Sequence, residues 1–395
     1  MGTSNVFTIL PVMRRLLMLM VGVLASCTSA PALPPLLVVT DDYAVTTISP
    51  EGETVELVEA DPDRVVSQAT WAPDGRLAVW TEVDRAAGVS NIAMGDSQGQ
   101  RRIDGGTIPF FYAWSPPGTH VAYLGNSPDG TGVAMGIVDV AAGTARLIDS
   151  GAPYYLDWAP DGSRLAVHID TAFLGFVDLD GNRTALAAVP GFFQAPEFLD
   201  DGRLLVATGD DQQGVALLEE SGDPVLIAPT TGGTFFAASS DQSSLAYTDT
   251  AAAPILGSLS VIPIPETANA ETPVDADGAQ TVSEGPVVAF EWSPSGGRLL
   301  FLTVNAEGTA LIPQVWEAGS VQSYEELIPT QEMITQYLPF WDQYSRVLTL
   351  WSPDGASFVL PVAGENGGSI VVYRVEGGET SRVLGGRFAT WAPAP

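Results

Sequence analysis

Gly95-Asp96-Ser97-Gln98-Gly99 matches the G-x-S-x-G pattern. At a strand-to-helix turn this pattern lifts a serine into reach of a histidine and an acid. Here Arg101, Arg102 and Ile103 open another strand, so Ser97 is expected in a hairpin turn, with no nucleophilic role. The two histidines, His120 and His168, begin and end equivalent strands one repeat apart. That separates them by more than ~12 Å at ~3.3 Å per residue, and two imidazoles are too few for a three-histidine zinc site. Turns such as Asp129-Gly130, Asp161-Gly162, Asp180-Gly181 and Asp200-Asp201-Gly202 lack the spacing of a calcium loop closed by a bidentate glutamate, and turn chemistry accounts for them. All 16 basic residues are arginine. Without lysine there is no phosphate-loop lysine, no Schiff base and no Ser–Lys dyad. Neither catalytic residue, metal nor cofactor is expected. The abundant reactive group is carboxylate, which leaves paired-acid chemistry on sugars as the enzymatic alternative.

The one cysteine closes Leu24-Ala25-Ser26-Cys27, after Arg14-Arg15 and an apolar stretch from Leu16 to Leu24. Basic, apolar, small, then Cys is the order of a secretory signal, and the stretch is too short for a ~30 Å bilayer, which takes ~20 residues. Met13, directly before the arginines, is an alternative start. The last four residues resemble the bacterial lipobox, which implies that Cys27 is diacylated and becomes the new N-terminus. With Thr28 next to it, the resemblance implies sorting to the outer membrane where there are two. The expected organisation is a signal peptide over residues 1–26, a tether over 27–34 and a single domain over 35–395, held outside the cytoplasm in the cell envelope. The formal net charge of −31 becomes two units more negative without Arg14 and Arg15. Such a surface repels nucleic acid and anionic headgroups, so no nucleic-acid partner is expected and the membrane is reached through the lipid only.

The elements that must position any site come from a repeat. Trp71-Ala72-Pro73-Asp74-Gly75 recurs from Trp114, Trp158, Trp292, Trp351 and Trp391, and degenerate copies at Phe198 and Ala238 fill the gap, at separations of 40 to 59 residues. Pro presets the first corner of a turn, Asp bonds the backbone ahead and Gly takes the positive φ. A short apolar strand follows, as in Leu77-Ala78-Val79-Trp80. A period of about 40–45 fits four-stranded propeller blades, each with its tryptophan closing the inner strand, strand A. The pattern resembles the TolB-like propeller repeats of bacteria over roughly residues 60–395, which implies an all-β propeller of antiparallel blades. There is no room for the α/β domain that precedes the propeller of TolB itself. Phe388 to Pro393 supplies a strand A with nothing after it, and Leu36–Val39, Tyr43–Ile48 and Val55–Val58 lack one before them. One end completes the other, giving eight blades, with seven as the alternative.

Aromatic residues recur where strand A begins. Phe111, Tyr155, Phe193, Phe235, Tyr337 and Trp341 are the candidate binding residues, and the loop from Tyr337 to Tyr344 is expected at the rim of a channel mouth. A Pro- and acid-rich insertion over 262–278 is expected as a surface excursion. No long amphipathic helix is expected. The expected function is a protein- or peptide-binding or scaffolding module without catalytic machinery. The alternatives are a carboxylate-dependent carbohydrate-active enzyme and a small-ligand-binding lipoprotein. Two close carboxylates in the channel favour the enzyme; an aromatic, carboxylate-poor channel favours binding.

Overall fold

A computed structural model describes residues 35–49, 52–209, 213–219, 223–250, 257–266, 278–365 and 367–393. The expected signal peptide and tether, Cys27 and most of the expected excursion over 262–278 lie outside them.

Strand, tight turn, strand is repeated until a ring of antiparallel sheets results. Each Trp-x-Pro-x-Gly copy closes a strand A and turns into the next strand. In five of these turns the glycines Gly75, Gly118, Gly162, Gly296 and Gly355 adopt φ between +64° and +72°, where a β-carbon would be strained. Each glycine N–H bonds the carbonyl three residues back, as from Gly75 to Ala72 at 2.9 Å. Ser97 and Gln98 form a two-residue turn between strands Val89–Asp96 and Gly99–Ile103.

Seven hydrogen-bonded sheets resolve into eight blades. Five are separate four-stranded sheets. A seven-stranded sheet holds two more, because Gln280–Trp292 is the outer strand of the sixth blade in its first half and strand A of the seventh in its second. A three-stranded sheet is the eighth, whose strand A is reduced to a single bridge between Trp351 and Phe358. The first blade joins both ends of the chain: Phe388–Trp391 is strand A, paired with Leu36–Val39, which is followed by Val45–Ile48 and Thr54–Val58. The all-β propeller read from the repeat is the observed fold.

Between blades, tryptophans serve as clasps. Trp158 donates its indole N–H to the Ala113 carbonyl of the preceding blade (2.9 Å), Trp292 to Ala237 (3.1 Å) and Trp351 to Glu291 (3.0 Å). Deleting residues 386–395 would remove strand A of the first blade and expose the edge of Leu36–Val39. We expect a large loss of stability, read as a lower Tm; a truncated protein melting at the wild-type temperature would rule out closure by both ends.

Candidate functional site

Where the eighth blade should carry a regular strand A, the chain instead coils. Met333–Tyr337 is a π-helical turn, Leu338–Phe340 a 3-10 turn and Trp341–Tyr344 an α-helical turn. Met333, Tyr337, Trp341 and Tyr344 are buried. At ~1.5 Å per residue this run rises roughly 18 Å, matching a strand of five or six residues at ~3.3 Å each.

The coil touches the inner edge of all seven other blades and therefore fills the axis. Arg387 of the first blade pairs with Glu332 at 2.6 Å. Gln68 and Thr70 of the second bond Gln336 (2.8 Å) and the Val347 carbonyl (2.6 Å). Tyr344 donates to the Phe110 carbonyl of the third blade, and Gln343 accepts the Leu156 N–H of the fourth at 2.8 Å. Asp342 accepts from Gln194 (2.8 Å) and the Ala195 N–H (3.1 Å), just ahead of the fifth blade. Trp341 meets Phe235 of the sixth at 5.8 Å and Phe290 of the seventh at 4.3 Å between ring centres. This plug enters where the strands A begin and leaves at the Trp-x-Pro-x-Gly turns, so the propeller has an entrance face and a turn face, each with its own mouth.

The expectation of an exposed rim loop is corrected. Trp341 is 3% exposed, and Phe111, Tyr155 and Tyr337 are also buried. Phe111 packs edge-on against Tyr344 at 5.1 Å, Tyr155 lies 4.5 Å from Phe193, and Tyr337 lies 5.7 Å from Phe388. Phe193 and Phe235 are half-buried. The structure does bring these aromatics together, as the wall and filling of a closed axis. His168 is buried in the same wall, its Nδ1 at 3.0 Å from the Gln194 carbonyl, and burial lowers its pKa. His120 is only half-buried, beside Trp158. Among the described residues no group of three or more His, Cys, Asp or Glu side chains is placed to hold a metal.

Of the residues that remain open at the entrance face, Phe192 and Phe340 belong to the aromatic clusters at the starts of strand A, and the aliphatic ones were not singled out by sequence. Ile108, Val189, Phe192 and Ile328 stand in its connections, Val89 opens a strand beside them, and Ile334 and Phe340 lie on the plug. Phe192 is 42% and Phe340 44% exposed. The other exposed large apolar residues among those described, Val55, Leu147, Val321 and Val383, sit on outermost strands, and none is in a described Trp-x-Pro-x-Gly turn.

The turn face is charged instead. Cavities of about 470 and 380 Å³ adjoin there, sharing Asp157, Arg346, Thr349 and Pro393. Arg346, just past the plug, approaches Glu197 at 3.5 Å and Asp157 at 4.0 Å and donates to the Ala195 and Pro196 carbonyls. Burial raises the pKa of Glu197 to about 7, with Arg346 opposing and Asp157 adding to the rise. Burial likewise lifts Glu291 to about 8 and Asp342 to about 6. By the criterion set from the sequence, acids gathered at the channel favour carboxylate chemistry. Yet each acid already holds two blades together: Asp157 accepts the Phe198 N–H (2.7 Å), Glu197 the Ala238 N–H (3.1 Å) and Glu291 the Leu350 N–H (3.0 Å). All three stand one residue before the last position of strand A, a repeat signal present in the sequence.

No family model and no curated protein matches the chain. It is similar in structure to the dihydro-heme d1 dehydrogenase NirN, solved in complex with DHE, with a TM-score of 0.57 and 16% identity over 91% of this chain and 75% of that one. It is also similar to a eukaryotic initiation factor, with a TM-score of 0.56 and 13% identity over 92% and 99%. Prolyl endopeptidases give 0.55 and 13% over 84% of this chain, which spans 51% of theirs. TolB from Acinetobacter baumannii matches at a TM-score of 0.42, too distant to take the TolB-like resemblance beyond the turn motifs. One expectation is overturned: the dehydrogenase and the endopeptidases are enzymes that contain this fold, so the architecture gives no ground for excluding enzymatic function. At 13–16% identity, what these likenesses establish is the fold, a β-propeller.

Proposed function

We propose that this protein is a lipid-anchored, extracytoplasmic propeller that captures a protein or peptide partner on its entrance face. The observation that carries the reading is the sidedness of the exposed apolar residues: seven stand at the entrance face or on the plug, and none is in a described Trp-x-Pro-x-Gly turn. The anchor agrees with that face. The Ala392 N–H bonds the Pro35 carbonyl at 3.1 Å, so the described chain begins at the turn face. Cys27 lies eight residues upstream, a reach of at most about 28 Å. A lipid there would hold the turn face toward the membrane and present the entrance face to partners. No described helix is long and apolar enough to cross a membrane.

Replacing Phe192 and Phe340 together by Asp tests the docking face. Both are exposed, so Tm should stay close to wild type. Chemical cross-linking in intact envelopes should lose a partner adduct that wild type forms, and survival of that adduct would defeat the proposal. Cys27→Ser should leave an uncleaved precursor; a processed, membrane-bound mutant would defeat the anchor. A second reading, carboxylate-assisted cleavage of a glycoside at the turn face, is favoured by the convergence of Asp157 and Glu197 on Arg346. It requires that Glu197→Gln abolish glycoside turnover while the fold persists.

A further inference from the structure

A cavity of about 230 Å³ opens at the entrance face between the plug and the first two blades. Its body is apolar, formed by Val39, Val66, Leu348 and Phe388, and its polar lining includes Gln68, Gln336, Glu332 and Arg387.

Two observations set it apart from a packing defect. First, of the five described non-glycine residues with positive φ, two line this cavity, Tyr43 at +65° and Gln68 at +59°. Left-handed backbone is costly for side-chain-bearing residues and collects at functional positions. Gln68 sits where the register of Arg64–Trp71 against Ala78–Asp84 slips between Ser67 and Thr70, a bulge of the kind that re-aims a side chain. Tyr43 is held by Arg387, whose guanidinium lies 4.3 Å from its ring centre.

Second, the polar groups are half used. The Gln68 amide N–H donates to Gln336 at 2.8 Å, and the described residues give neither side chain another hydrogen bond. That leaves one amide oxygen and one NH₂ group at the cavity, and the same pair remains if both amides are turned over. One acceptor beside one donor is the complement of a peptide group. The ion pair of Glu332 with Arg387 closes the rim and adds no unpaired charge.

We propose that this cavity is the anchor pocket for one apolar side chain, of leucine or phenylalanine type, from the bound peptide, whose backbone amide is held by Gln68 and Gln336. The assignment rests on the entrance face being the docking face and names what docks there: an apolar side chain fills the body, and the adjoining peptide group replaces water on the two glutamines. An acidic side chain is excluded by the apolar walls, because the rim cation Arg387 is already paired with Glu332.

The test uses the whole folded domain and small defined probes. N-acetyl-leucine methylamide and N-acetyl-phenylalanine methylamide, followed by saturation-transfer NMR, should bind saturably and at least tenfold more tightly than N-acetyl-glutamate methylamide. N-acetyl-leucine methyl ester, which lacks one N–H, should bind five- to tenfold more weakly than the methylamide. Gln68→Gly relieves the left-handed residue and removes the amide, so it should erase the ester–amide difference with Tm kept or raised. Failure of the apolar amides to saturate the wild type overturns the proposal, as does an ester–amide difference unchanged in Gln68→Gly. If that variant does not fold, the ester–amide comparison on the wild type decides alone. Absent probe binding, with a partner adduct that wild type forms and the Phe192 and Phe340 variant loses, removes the pocket and leaves the docking face standing. Probe binding with no such adduct does the reverse.

Discussion

Trp341→Ala should destabilise the domain by about 3–5 kcal/mol, the range for truncating a large buried aromatic. With an unfolding entropy of ~2.1 cal/mol/K per residue over residues 35–395, that is a fall in Tm of about 4–7 °C. Trp341 is 3% exposed and fills the axis between Phe235 and Phe290. The three residues after it bind neighbouring blades: Asp342 at Gln194 and Ala195, Gln343 at Leu156 and Tyr344 at Phe110. A void at this point loosens the segment that ties the blades to the axis, so relaxation would not recover the loss. Phe340→Ala is the matched control, because its side chain is 44% exposed and surface truncations stay within about 0.5 kcal/mol. Thermal melts by circular dichroism distinguish the two. A Trp341→Ala protein that melts with the wild type would show that the plug does not support the ring.

What the sequence disclosed and what it concealed follow from the same physics. The turns were legible because Pro, Asp and Gly act locally, and the closure of the ring because an unpaired strand A at one end answered three strands at the other. The plug was concealed although its spacing was present: Met333, Tyr337, Trp341, Tyr344 and Leu348 fall three or four residues apart and are all buried. A helix declares itself by contrast between an apolar and a polar face. Within Trp341–Tyr344 every residue is buried, Asp342 and Gln343 included, while the exposed side of the preceding turns carries the apolar Ile334 and Phe340, so the contrast disappears. Gln194, Leu156 and Ala195, which satisfy those two polar side chains, lie some 150 to 190 residues away in sequence. The acids at 157, 197 and 291 were concealed differently. Each shares one repeat position, but the repeat was aligned on its tryptophans and turns, and the residue before the anchor varies from Thr70 to Ala113 to Asp157.

The buried acids give the domain an unusual pH response: it should be most stable near pH ~4 and lose stability steadily to pH ~8.5. Glu291, Glu197 and Asp342 have folded pKa values near 8, 7 and 6, raised foremost by burial. In the unfolded chain these groups titrate near ~4. Between those limits the folded state therefore binds more protons than the unfolded state, and stability falls as pH rises through the window. The turn aspartates act oppositely. Hydrogen bonds from Thr131 and Ser127 hold Asp129 near 2, and similar turn contacts lower Asp161 and Asp241, so their contribution is lost only in stronger acid. Glu291 is the most displaced of the acids with a stated value. It contributes on the order of 2–4 kcal/mol of the fall between pH 5 and 8.5. Glu291→Gln keeps an oxygen for the Leu350 N–H while removing the titration, so it should raise Tm at pH 8 and flatten the profile above pH 5. Repulsion within a chain of net charge −31 has the same sign, and working at ~0.5 M salt screens it while leaving the buried groups largely unscreened. Melting curves from pH 3 to 9 at that ionic strength would decide. A wild type that gains stability from pH 5 to 8, or a Glu291→Gln protein with an unchanged slope, would show that these carboxyls are ionised in the folded state and that the blade-to-blade clasps are made by charge.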